Sequence, residues 1–132
     1  MIEDGQTALG IEFGSTRIKA VLVDESGALL ATGAHDWENR LTDGLWSYPE
    51  AQIWEGLQSA YRSLVDDVEN RYQVCLKRLG SLGFSAMMHG YIALGEDGEL
   101  LVPFRTWRNT NTGPATEVLS KALSFNMPHR WS

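Results

Sequence analysis

Apolar and polar positions alternate along the first forty residues in a way that predicts three short strands joined by turns. Residues 7–13 (Thr-Ala-Leu-Gly-Ile-Glu-Phe) form the first, and Gly14-Ser15-Thr16 a tight turn after it. Residues 17–24 alternate at first and then run continuously apolar, as a largely buried strand does. Asp24-Glu25-Ser26-Gly27 makes a second turn, and residues 28–37 read as a third strand of an antiparallel meander. Residues 38–48 are polar and glycine-containing, and read as a loop. Ser47, Pro49 and Glu50 carry helix-start chemistry: a capping candidate, a first-turn proline and a carboxylate near the positive end of the helix dipole. Ile53, Leu57, Ala60, Tyr61, Leu64, Val68, Tyr72 and Leu76 then recur every three or four residues, predicting one amphipathic helix from about 50 to 78 that ends near Gly80.

Residues 81–88 read as a further strand that packs beside the meander. Residues 91–94 and 99–102 flank Glu96-Asp97-Gly98 and predict a hairpin, which Pro103 ends. Thr112 to Leu123 reads as a helix with Pro114 near its start. The last residues, 126–132, contain Met127 and Trp131 and no polar tail, so they read as the middle of a longer domain. The order of meander, helix, strand, hairpin and helix predicts an α/β domain with a mixed sheet, one face of which the long helix covers.

Composition narrows the function classes. The net charge of −6 argues against nucleic acid as a partner, although one small phosphate ligand is compatible with it, because a site is set locally. Cys75 is the single cysteine, which excludes an internal disulfide framework and a cysteine-rich metal site and fits a reducing cytosol. The acidic N-terminus lacks the parts of a signal peptide, and no apolar run has the length of a membrane span. The expectation is a cytoplasmic protein of unassigned oligomeric state.

Three segments carry candidate chemistry. In Gly10-Ile11-Glu12-Phe13-Gly14-Ser15-Thr16-Arg17-Ile18-Lys19 a strand delivers a carboxylate, Glu12, to a tight turn. Backbone N–H groups from Gly14 to Arg17 can converge on a phosphate, the Ser15 and Thr16 hydroxyls add donors, and Arg17 or Lys19 adds positive charge. Glu12 suits Mg²⁺, directly or through water. The competing reading is a plain hairpin with a Gly-Ser-Thr turn. In the second segment, Met88-His89-Gly90 follows a strand, where His89 is either a polyol-binding group or a loop histidine with a local partner. In the third, Trp107 lies beside Arg108 and Asn109; it reads as a face for sugar C–H groups or as a core anchor. Trp46, Trp54 and Tyr61 read as helix packing, and Asp66, Asp67 and Glu69 as a solvated helix face. His35, His129 and Cys75 have no partners at metal or nucleophile spacing.

Taken together in this order, the three segments resemble the FGGY carbohydrate kinases, which share the actin-like (ribonuclease H-like) ATPase fold. Gly10 to Thr16, with Ile18 to Asp24 and Gly27, is similar to that family's first phosphate motif; Met88-His89-Gly90 is similar to the Met-His-Gly of xylulokinase-like members. The chain departs from the family in having Glu12 for the usual Asp, Ser15 for the frequent Thr, and Asn109 and Asn111 where Asp and Arg are typical. The resemblance implies that residues 1–132 are the N-terminal portion of the first of two kinase domains. It further implies Mg²⁺ with ATP, a phosphate site of Gly14, Ser15, Thr16, Arg17 and Lys19, and a metal carboxylate at Glu12. Met88, His89, Gly90, Trp107, Arg108 and Asn109 would then meet a sugar or polyol, a pentulose foremost. The family's catalytic Asp and adenosine pocket fall outside this segment, so the expectation is an active full-length kinase and an inactive fragment. A non-catalytic nucleotide- or sugar-sensing relative is the alternative.

Overall fold

The computed structural model describes residues 1–110 and 112–124. Three strands open it: β1 (Ala8–Phe13), β2 (Arg17–Val23) and β3 (Leu29–Asp36). They form the expected antiparallel meander, and β6 (Ser81–Ala86) joins it in parallel beside β1, giving the order β3-β2-β1-β6. The sheet is thus mixed, as the element order implied. A second, two-stranded sheet, β4 (Arg40–Thr42) with β5 (Leu45–Ser47), occupies the segment expected to be a loop. Its turn is Asp43-Gly44, with φ of 50° and 76°, the left-handed pair that a tight hairpin requires.

The long helix, α1 (Glu50–Tyr72), lies on one sheet face. Ala60, Leu64 and Val68 from its expected stripe are fully buried against Ile18, Ala20, Leu22 and Ala31. Contact is closest at Gly33, where a built Cβ would sit 2.1 Å from the Ala60 carbonyl oxygen and 2.4 Å from the Leu64 nitrogen. Only a residue without a side chain lets helix and strand meet so closely. Both helix limits differ from expectation. Pro49 is the N-cap, without a side-chain cap bond, while Ser47 lies in β5. At the other end Gln73 turns left-handed (φ 53°) and donates its N–H to Glu69, ending the helix before residue 78. Val74, Leu76 and Leu79 then pack on the core outside any helix, so tertiary burial overrides the continuing period.

Three further expectations are corrected. The hairpin of residues 91–94 and 99–102 closes around its expected turn, with the Gly95 N–H bonded to the Glu99 carbonyl at 2.8 Å and the Leu101 N–H to the Ala93 carbonyl at 3.0 Å. It pairs through one isolated bridge, Leu94 to Leu100, and not through continuous strands; a second bridge joins Tyr91 to Arg105. Pro103 has no N–H to give, and pairing resumes two residues beyond it. Trp54 is 58% exposed, and Trp46 sits in β5, so neither packs under the helix, although Tyr61 does. Asp67 is not merely solvated: it accepts the Thr32 N–H at 2.9 Å and pairs with Arg71 at 2.7 Å. The last helix, α2 (Gly113–Ser124), agrees with expectation, with Val118, Leu119 and Leu123 exposed. Asn111 and residues 126–132, with His129, lie outside the described residues.

Candidate functional site

The turn between β1 and β2 is closed by the Gly14 N–H donating to the Arg17 carbonyl at 3.0 Å. Behind it stands a column of aromatic rings. Trp37 stacks on Tyr48 with centroids 4.1 Å apart, and Tyr48 stacks on Phe104 at 5.8 Å. Trp37 ends the third strand's sequence run, and Tyr48 leads from β5 into α1. Both grip the turn: the Trp37 indole N–H donates to the Gly14 carbonyl at 2.7 Å, the Tyr48 hydroxyl to the Ser15 carbonyl, and the Trp37 backbone N–H to the Thr16 carbonyl at 3.1 Å. Three successive carbonyl oxygens are therefore engaged by these two residues, while the Ser15 and Thr16 N–H groups have no acceptor among the described residues. An anion is repelled by carbonyl oxygens and attracted by N–H groups, so a turn tied this way is built for one. Burial pushes the Tyr48 hydroxyl pKa up, opposed by the charge of Arg108, and keeps it a donor.

The charges of the turn are arranged across the strand pairs. Arg17 lies opposite Asp36 and bonds it at 2.5 Å; Glu12 lies opposite Lys19, whose ammonium is 3.7 Å away. The Arg17 hydrogen bond holds the Asp36 carboxyl below the usual range, and the same bond raises Arg17. Arg17 and Lys19 are both paired and about half exposed. Glu12 is a single carboxylate at the rim, and no cluster of three or more His, Cys, Asp or Glu residues occurs among the described residues. A lone carboxylate in a loose pair fits an ion that arrives with phosphate oxygens of its own, the usual situation of Mg²⁺.

The structure brings together some predicted residues and separates others. The turn, with Glu12, Arg17 and Lys19, opens on a cleft of about 550 Å³ whose further wall is Met88 and Trp107. His89, Gly90 and Asn109 line a neighbouring cleft of about 570 Å³, and Trp107 is common to the two. His89 has left-handed backbone (φ 63°), unusual for a residue with a side chain. Arg108 lies in neither; it borders a cleft on the other flank of Ser15 and Thr16. The Asn109 carboxamide is engaged internally: its oxygen accepts the Trp46 N–H at 2.8 Å, and its nitrogen donates to the carbonyls of Trp46 at 2.7 Å and Thr106 at 3.1 Å.

The family model for the N-terminal domain of the FGGY carbohydrate kinases matches residues 7–128. This chain belongs to the FGGY family of carbohydrate kinases. Xylulose kinase of Staphylococcus xylosus is 23% identical over 121 residues, covering 89% of this chain and 23% of the relative. Xylulose kinase of Bacillus subtilis is 26% identical over 106 residues, covering 80% and 21%. Among solved structures, a ligand-bound xylulose kinase from Lactobacillus acidophilus superposes with a TM-score of 0.71 at 21% identity, covering 88% of this chain and 22% of that one. A gluconate kinase from the same organism gives 0.72 at 21%, again covering 88% and 22%. The fold is thus that of FGGY kinases, the actin-like ATPase fold, and the chain spans less than a quarter of these relatives' length. No described helix is long and apolar enough to cross a membrane.

Sequence reading missed Trp37 and Tyr48. Both lie far along the chain from the turn they hold, and each passes for an ordinary core aromatic. The Asp43-Gly44 hairpin signal, next to Trp46 and Tyr48, was the available pointer to that region.

Proposed function

We propose that the full-length protein transfers the γ-phosphoryl group of ATP to a hydroxyl of a sugar or polyol, a pentulose foremost. The observation that carries this reading is the anion-ready turn sharing one cleft with Met88 and Trp107. In this reading the Ser15 and Thr16 N–H groups and hydroxyls receive phosphate oxygens, with Gly14 keeping the backbone close. Arg17 and Lys19 supply positive charge near the phosphates. Glu12 would hold Mg²⁺ brought with ATP, the ion neutralising phosphate charge when bound. Trp107 offers its ring face to sugar C–H groups, while Met88, His89 and Gly90 border the acceptor. Asn109 acts there by positioning Trp46 and the residues before it. Residues 1–132 supply the phosphate side of a larger domain, and the catalytic base comes from elsewhere in the full-length protein.

The test is phosphorylation of a ketose panel with Mg·ATP by the full-length protein and by the 132-residue chain. We expect turnover from the first, with a pentulose preferred, and none from the second. Turnover by the 132-residue chain would overturn the division of labour; no sugar phosphorylated by the full-length protein would overturn the kinase reading. A non-catalytic nucleotide or sugar sensor is the second reading, favoured by the pairing of both Arg17 and Lys19 with carboxylates. It predicts binding of ATP or sugar without turnover.

A further inference from the structure

The cations around the Gly14–Arg17 turn are of two kinds. Arg17 and Lys19 each face a carboxylate, whereas Arg40 and Arg108 have no ion-pair partner among the described residues. Both unpaired arginines line a cleft of about 400 Å³, reached from the opposite flank of Ser15 and Thr16 to the cleft of Met88. Glu38 is the single carboxylate on its wall, so positive charge prevails there, against the acidic average of the chain.

Arg108 is also held in position. Its guanidinium carbon lies 4.9 Å from the ring centroid of Trp46 and 5.5 Å from that of Trp107. A cation held over aromatic rings is attracted by their faces without using its N–H groups as ion-pair donors. The backbone on either side is fixed as well: Asn109 binds both polar backbone groups of Trp46, and the Arg108 N–H donates to the Thr106 hydroxyl at 3.4 Å. Arg40 comes from the short strand β4, paired to Ser47 next to Trp46. An arginine without an ion-pair partner among the described residues, held over two rings and anchored through its backbone, is pre-organised for an oxyanion.

We propose that this cleft is an oxyanion subsite in which Arg40 and Arg108, with the Ser15 and Thr16 edge of the turn, take a carboxylate or phosphate group of a small ligand. The subsite adds a charged recognition point to the neutral polyol chemistry proposed above. It rests on that reading only for the origin of the anion, which is either an acidic acceptor or the nucleotide. The experiment is titration of the full-length protein, followed by tryptophan fluorescence and calorimetry, with inorganic phosphate, D-gluconate, a non-hydrolysable ATP analogue and, as neutral control, D-xylulose. We expect saturable binding of phosphate and of gluconate or the ATP analogue, weakened at least about tenfold by Arg40→Met and by Arg108→Met. Loss confined to gluconate identifies an acidic acceptor; loss confined to the analogue identifies the nucleotide. Arg108→Lys keeps the charge without the fork and should fall between, which guards against misfolding of the methionine variant. Arg40→Met should leave xylulose binding unchanged, so a protein that never binds xylulose counts against the kinase reading and not against the subsite. Anion affinities equal in parent and Arg40→Met overturn the subsite.

Discussion

The outer edges of β3 and β6 bound the same sheet, yet the rest of the chain treats them differently. At β3, α1 closes the edge: Asp67 takes the Thr32 N–H, the Tyr72 hydroxyl donates to the Leu30 carbonyl at 3.0 Å, and Gly33 lies against the helix backbone. At β6 no described residue bonds to the outer edge. Leu82 and Phe84 share the helix-side face with Leu9 and Ile11 by register, but α1 does not reach them, and they are 50% and 62% exposed. The apolar pattern of a strand therefore marks which face is meant for burial. How far burial extends is decided by the length and direction of the covering element. An edge with open hydrogen-bonding groups and two large apolar side chains is a surface that pairs readily with another segment.

Two substitution pairs and one single substitution test this contrast. The largest effect belongs to glycine. Gly33→Val drives a side chain into the Ala60 carbonyl and should cost at least about 3 kcal/mol or prevent folding. Gly83→Val meets nothing within 4 Å and should be close to neutral in denaturant unfolding. Equal costs would break the comparison. Next come the large apolar residues: Leu64→Ala should lose about 2–5 kcal/mol, against less than about 1 kcal/mol for Phe84→Ser. The smallest effect is electrostatic. The Thr32 N–H first, and Arg71 second, hold the Asp67 carboxyl below its ordinary range. A depressed folded-state pKa contributes stability above the unfolded value of about 3.9, lost as pH falls through the folded value. Asp67→Asn should therefore flatten the acid limb of the stability profile and leave the neutral region slightly lower; an unchanged acid limb would remove Asp67 from the account of this edge.

What the sequence made legible was local. The meander, the Gly14 turn and the stripe on α1 each rest on spacings of a few residues; the order of elements put β6 beside the meander, and the structure pairs it with β1. The limits and partners that escaped it are set at long range. The helix stops at Tyr72 because Val74, Leu76 and Leu79 find the core outside the helix. Asn109 reads as a sugar contact in isolation, whereas its amide meets Trp46, 63 positions earlier. The candidate site was likewise half legible: Glu12, Arg17 and Lys19 stand at the turn as their spacing implied, but their cross-strand pairing is a matter of register.

The grip of Trp37 and Tyr48 on the turn has a consequence for how the molecule comes apart. Many ligand loops open by themselves at little cost. Freeing the carbonyls of Gly14, Ser15 and Thr16 requires Trp37 and Tyr48 to leave a column in which Tyr48 is almost wholly buried. Opening the turn and dissolving that column are then one cooperative event. The amide protons of Ser15 and Thr16, although they bond to no described residue, stand on a backbone as long-lived as the core itself.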